Sequence, residues 1–229
     1  MLRTGRFALV ERAILVGLPA LAGCAGVPIQ IPPSLAEAPG LPFTPGSGPG
    51  NGHIGDGAFH DLSHALAQSS EKNVGDAGPP WRRSGYSFGW TGPSGEMTIS
   101  CVARLRASGV DHNVDVEEEG LDCAARQNAW TLHIDAFGKD IGGTLAEPGA
   151  RTVDVIGIFE LASGLRTPEI VGFQIGEGAA VSLLNRPTVW ESPQLSAVER
   201  DCAGAAAFAL VTWRDVREGL IADAVDAVR

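Results

Sequence analysis

Between Tyr86 and Trp190 the chain reads as strand after strand, with Gly, Pro and Asn between them. From Glu96 to Leu105 apolar and polar positions alternate. Met97, Ile99, Cys101, Ala103 and Leu105 share one face; Glu96, Thr98 and Ser100 share the other. Trp130, Leu132, Ile134 and Ala136 alternate in the same way with Thr131, His133 and Asp135. A period of two marks a strand with one buried and one wetted face, so His133 falls on the wetted side. Val153 to Leu161 is apolar on both faces, which predicts a central strand. Ile170–Ile175 and Ala180–Leu184, separated by Gly176-Glu177-Gly178, predict a hairpin. Gly172 marks a bulge or a close backbone approach. No helical stretch long enough for a crossover separates these segments, so the sheet is expected to be antiparallel.

The pattern changes after Ser192-Pro193. Ser196 followed three residues later by Glu199 forms a capping box. Leu195, Val198, Cys202, Ala206, Ala209, Trp213, Val216 and Leu220 then mark a broad apolar stripe, and Ala203 to Ala209 is almost all small residues. This predicts a long helix over about 195–220 that covers an exposed sheet face, with Gly219 as a kink or an end. Its charged residues Arg200, Asp201, Arg214, Asp215 and Arg217 exclude a membrane span. A second, short amphipathic helix is expected over 57–68, where Phe59, Leu62 and Leu66 recur at helical spacing after the capping residue Asp56. The expected fold is mainly β (α+β): a single antiparallel β-sandwich or curved half-barrel with the C-terminal helix packed on it.

Residues 1–23 have the composition of an export leader. Arg3, Arg6 and Arg12 precede an apolar run from Ala13 to Ala22 that is too short to cross a bilayer. The run ends in Leu21-Ala22-Gly23-Cys24, which resembles the lipobox of bacterial lipoproteins. The resemblance covers the first 26 residues. It implies cleavage before Cys24, a diacylglycerol on its sulfur and a further acyl chain on the new amino group. Two or three chains anchor stably because each buried methylene contributes about 0.8 kcal/mol. With Ala25 rather than Asp after the cysteine, the resemblance implies the outer membrane where the organism has one. Residues 24–56, rich in Pro, Gly and Ser, are expected to form a disordered tether. Residues 57–80 make a short helix and loop, and 81–229 the folded domain.

Charge narrows the partners. The leader holds three Arg and one Glu, so its removal takes the net charge from −10 to −12. Such a chain is repelled by nucleic acid and by anionic head groups. The remaining partners are the membrane, through Cys24, and a protein or the wall of the cell envelope. Three cysteines follow the anchor. Cys101 and Cys123 sit in strand-like stretches that can lie side by side, and an oxidising compartment favours their bridge. Closing that loop stabilises by about 3 kcal/mol in the chain-entropy model. A bridge from Cys202 to either one is the rival pairing; otherwise Cys202 is a buried apolar residue.

The sequence carries little that reads as catalytic chemistry. No nucleophile elbow, phosphate loop or dinucleotide fingerprint is present, and no cofactor is expected. His60 and His64 are four apart, a metal-ligand spacing on a helix, with no third ligand fixed. Asp111, Asn113, Asp115, Glu117 and Asp122 resemble the oxygen ligands of an EF-hand calcium loop in spacing. Val116 stands where that loop has glycine and Asp122 where it has glutamate. The flanks read as strands, on which alternating acids share a face without any ion. The expected function is a non-catalytic binding or structural module of the envelope. One alternative is a domain holding a small apolar ligand, lined by Trp90, Trp130 and Phe173. A second is an extracytoplasmic hydrolase, which needs His133 or His112 beside Cys202 or a carboxylate.

Overall fold

The computed structural model describes residues 28–64, 69–71, 79–110, 113–127, 129–137, 140–147, 149 and 151–227. Cys24 and the leader lie outside the described residues. A short 3-10 turn (Pro33–Leu35) precedes the strands. These are β1 (Gly40–Pro42), β2 (Thr44–Pro45), β3 (Gly52–Ile54), β4 (Gly57–His64), β5 (Ser69–Glu71), β6 (Trp81–Gly92) and β7 (Gly95–Val110). They continue as β8 (Asn113–Ala125), β9 (Thr131–Phe137), β10 (Asp140–Ala146), β11 (Thr152–Ile158), β12 (Gly172–Ile175), β13 (Ala179–Ser182) and β14 (Thr188–Glu191). One helix, α1 (Ala197–Ala227), ends the described chain.

The strands form one antiparallel sheet in the order β1-β14-β13-β12-β11-β10-β9-β8-β7-β6-β4-β3-β2, and β5 pairs with β6 beside β4. The sheet curls until it nearly closes. A single segment, residues 40–45, stands at the seam. Its first half pairs with β14 and its second half with β3, while the Phe43 N–H between them donates to Pro187 O at 3.1 Å. The curved alternative is therefore the fold, and the flat sandwich is not.

Alternation along the strands places the apolar side chains inside. Met97, Ile99, Cys101, Ala103 and Leu105 of β7 are all buried, as are Leu132, Ile134 and Ala136 of β9. Outside are Thr131, His133, Asp135, Asp122 and Glu96. A membrane-spanning barrel carries the reverse pattern, with an apolar outer band. Among the described residues no helix is long and apolar enough to cross a membrane.

The helix does more than cover a face. Every residue from Asp201 to Trp213 is buried, and α1 touches β4, β6, β7 and β8 on one side and β13 and β14 on the other. A helix apolar all round must be enclosed. The small residues of 203–209 permit this, because their short side chains let strand residues approach the helix backbone. The strands supply the bulk: Phe59 stacks on Phe208 with centroids 4.0 Å apart, Phe88 meets Phe208 edge-on at 4.7 Å, and Phe173 packs against Trp213. Tyr86 Oη donates to Ala209 O at 2.7 Å and Trp130 Nε1 to Cys202 O at 3.3 Å. Both buried polar tips thus find acceptors on the helix itself. The capping box forms as expected: Ser196 N donates to Glu199 Oε2 at 2.7 Å and Glu199 N to Ser196 Oγ at 3.2 Å. The helix runs on past Gly219 to Ala227.

Three expectations are corrected. The stretch read as a disordered tether belongs to the fold from residue 28: Ile29 and Leu35 are buried, and β1 to β3 complete the sheet. Its proline and glycine content suits short edge strands that need few ladder bonds. The helix expected over 57–68 is strand β4 as far as His64; Leu66 lies outside the described residues. One extra residue between His60 and Ser63, with Asp61 at φ 55°, shifts the alternation. Phe59 and Leu62 then both meet the core at a separation of three, which imitates a helical face. Finally, β11 is not buried on both faces. Val155 points inward, and Ile156 is 52 % exposed.

Gly172 is a close approach, as its position suggested. A β-carbon there would stand 2.4 Å from Val181 O. The tightest apolar fit is at Trp90, which lies between Gly57 of β4 and Gly204 of α1. A β-carbon on Gly57 would stand 2.1 Å from Trp90 Cζ2, and one on Gly204 2.6 Å from the same ring. Gly57→Ala is expected to destabilise the fold by about 1–3 kcal/mol through overpacking, read as a lower midpoint in urea with an unchanged slope. A midpoint equal to the parent's would show that the indole has room to move.

Candidate functional site

The end of the sheet where α1 begins holds a cavity of about 250 Å³. Three loops and the helix start build it: the turn after β3 (Gly55-Asp56), the β6–β7 turn (Pro93) and the segment from Glu191 to Pro193. Trp90 forms part of its wall. Asp201, in the first turns of α1, is buried and accepts from Ser94 N at 2.6 Å and from Ser94 Oγ. Gly92 makes this possible, since a β-carbon at that position would overlap the Asp201 carboxylate. Arg200 turns toward the backbone, its Nε and Nη2 donating to Leu195 O at 3.3 and 3.1 Å.

Two features set this cavity apart. Burial lifts the Glu191 carboxyl to about 7. Arg200 opposes the rise, and Asp201 and Asp56 add to it. A carboxyl in a cleft that titrates near neutrality is a functional-site candidate. In addition, Trp90 is 2 % exposed and its Nε1 has no hydrogen-bond partner among the described residues, an arrangement that buried indoles rarely show. The cavity wall thus carries one guanidinium held by backbone and three carboxyls, beside the apolar surfaces of Trp90, Leu41 and Ile54. That set suits a small polar or cationic ligand. It contains no activated nucleophile.

The residues singled out from sequence fare differently. Cys101 and Cys123 face each other across β7 and β8 and form the disulfide, with Cα atoms 4.0 Å apart. Cys202 is free and buried. Burial first, then the Glu147 and Asp201 charges, push its thiol up to about 12, far from a reactive thiolate. His133 lies on the outer face of the sheet, with Nδ1 2.5 Å from Asp122 and Nε2 2.8 Å from Asp135. Its pKa is raised chiefly by the hydrogen bond to Asp122, burial opposing and Asp135 assisting. For Asp135, burial acts upward, but bonds from His133 and Arg104 leave the carboxyl below its usual value. Arg104 also pairs with Asp122, reaching across Gly120, which has no side chain to block it. His133 and Cys202 stand on opposite sides of the sheet, so the Cys/His pair does not form; the carboxylates that His133 meets, Asp122 and Asp135, lie with it on the exposed outer face. His112 lies outside the described residues.

The calcium candidates are not gathered around one point. Asp111 lies outside the described residues. Asn113, Asp115, Glu117 and Asp122 all fall on the single strand β8. At about 3.4 Å per residue, Asp115 and Asp122 stand roughly 24 Å apart, far too long for one ion. The missing turn glycine at Val116 is the physical reason: the chain extends there instead of wrapping. His60 bonds Asp61 at 3.0 Å and Thr91 at 3.2 Å. Among the described residues no group of three His, Cys, Asp or Glu is placed to hold a metal ion. Trp130 and Phe173, expected as ligand-lining residues, pack on α1 instead. Asp56 is expected as a helix cap and Asp201 as a helix-surface charge, and nothing in the sequence joins them to Glu191, because the three come from distant segments. The one available signal was Asp201, a lone acid at the head of a run of small apolar residues.

Compared with protein-family models, curated proteins and solved structures, the chain matches none.

The Glu191 shift has a consequence for stability. In the folded protein this carboxyl keeps its proton to about pH 7, and in the unfolded chain it releases it near 4.5. Between those values the unfolded state binds fewer protons, so stability falls as pH rises. At 1.36 kcal/mol per unit the loss is at most about 3 kcal/mol. Urea titrations between pH 4.5 and 7.5 are expected to show a shallower decline for Glu191→Gln than for the parent. Parallel profiles would place Glu191 in free solvent.

Proposed function

We propose that this chain is a lipid-anchored protein of the bacterial envelope, a non-catalytic binding or structural module held by acyl chains on Cys24. The observation that carries this reading is Leu21-Ala22-Gly23-Cys24 at the end of a basic-then-apolar leader. The Cys101–Cys123 disulfide supports an oxidising, extracytoplasmic setting. The described body begins at residue 28, so the spacer to the anchor is far shorter than a tether over 24–56. This is a body seated at the membrane surface. The alternative of an apolar ligand inside the sheet loses its support, because α1 occupies the interior.

A second reading is favoured by the cavity at the start of α1: the module binds a small polar ligand there, through Glu191 and the neighbouring Asp56 and Arg200.

The anchor is tested by expressing the full chain and its Cys24→Ser variant with labelled palmitate. The parent is expected in the membrane fraction with label. Cys24→Ser is expected in the aqueous fraction without it. A Cys24→Ser protein that still sediments with membranes would overturn the reading.

A further inference from the structure

The point where the chain joins the fold fixes which end of the molecule meets the bilayer. Pro28 O accepts from Ala162 N at 2.9 Å, Gln30 N donates to Glu160 O at 2.9 Å, and Ile29 forms a bridge with Leu161. The first described residues are thus bonded to the loop between β11 and β12. Cys24 precedes Pro28 by four residues, which span at most about 14 Å when extended. The loop is therefore confined to the neighbourhood of any membrane that holds Cys24.

That same loop presents Leu165, which at 62 % is the most exposed of the large apolar side chains in the described structure. Its exposure is not the result of slack. Leu161 N donates to Leu165 O at 2.9 Å and Gly164 N to Leu161 O at 2.8 Å. Glu160 and Arg166 form a bridge, and Thr167 closes the loop onto Phe159 O through both its N–H, at 2.7 Å, and its Oγ1, at 2.9 Å. Gly164 takes the positive φ of 80° that the turn requires. A rigid turn thus holds a leucine out in solvent beside the anchor site. The next part of the loop, Thr167 to Ile170, lines a cleft with Arg214 and Glu218, in the second half of α1. The cavity with Glu191 and Trp90 lies at Asp201, thirteen residues earlier. At 1.5 Å per residue that is roughly 20 Å along the helix axis.

We propose that the β11–β12 loop is a membrane-contact surface, with Leu165 inserted at the lipid interface, and that the start of α1 and its cavity face away from the bilayer. The proposal rests on the lipid-anchor reading. Leu165 cannot recruit the protein alone, since one leucine is a weak anchor and the acidic chain is repelled by anionic lipid. For a body already held within about 14 Å, burial of one leucine biases orientation on the order of tenfold.

The test uses the full, lipidated chain reconstituted in vesicles of phosphatidylethanolamine and phosphatidylglycerol. A nitroxide is attached at Leu165→Cys or, as a distal reference, at Glu177→Cys in the β12–β13 turn. Cys202 is buried and the other two cysteines are bridged, so labelling is selective. Power saturation is expected to show the label at 165 open to oxygen and shielded from a water-soluble nickel chelate, by at least several-fold relative to the label at 177. Equal, water-like exposure of both labels in vesicle-bound protein would overturn the orientation and leave the anchor standing. Protein that fails to associate with the vesicles, or a Cys24→Ser variant that associates equally well, would overturn both.

Discussion

The enclosure of α1 is the constraint from which the rest of the molecule follows. A helix buried on every side over thirteen residues, Asp201 to Trp213, has no room for a polar face. It also has little room for bulk, because a sheet must come close on several sides. Alanine meets both demands. The strands then carry the large side chains inward, and Trp90, Phe88, Trp130 and Phe173 fill the space that the small helix leaves. Each fully buried side chain of this size contributes about 1.5–3 kcal/mol. The nearly closed sheet and the slender helix are therefore two halves of one packing solution. Neither would bury its apolar surface without the other.

Polar contacts fix how the helix lies within this sleeve. At one end Asp201 takes two hydrogen bonds from Ser94 in the β6–β7 turn. At the other, Arg217 pairs with Glu119, an acid that points inward from β8, and Arg214 donates to Leu183 O. Apolar packing alone is non-directional. These contacts select one depth and one rotation of the helix, because a shift by a single residue would strand buried charge. The cavity is a by-product of the same design. It forms at the start of the helix, where the β3–β4 turn with Asp56 and the end of β14 with Glu191 meet its first turns.

The outer surface follows a different rule. Along β7, β8 and β9 the outward positions hold Arg104, Asp122, His133 and Asp135 in a cross-strand network. Asp122, His133 and Asp135 are well exposed and Arg104 is partly buried, so their mutual attraction is largely screened and adds little to stability. Their effect is to keep a long sheet face wetted. The exposed leucine near the chain's point of attachment is an exception to that rule, which is why it invites a functional explanation.

Much of this was legible in the amino-acid order. Period-two alternation gave the antiparallel strands and the inward residues of β7 and β9. Ser196 and Glu199 gave the start of the helix, and the strand positions of Cys101 and Cys123 gave the disulfide. These are local signals, or pairs that one hairpin brings together. What the order of residues could not decide was how far the sheet curls and whether the helix lies on it or in it. An alanine-rich run is equally apolar in either place, and only the strands arriving from both sides distinguish the two. The same holds for residues 40–45. Their Pro- and Gly-rich sequence has no structure of its own; it becomes strand because the finished sheet offers unpaired N–H and C=O groups at two edges that one short segment can bridge. The cavity likewise joins residues 56, 90, 191 and 201. Such a site exists only in tertiary structure, since its parts are far apart in the chain and none has a partner nearby.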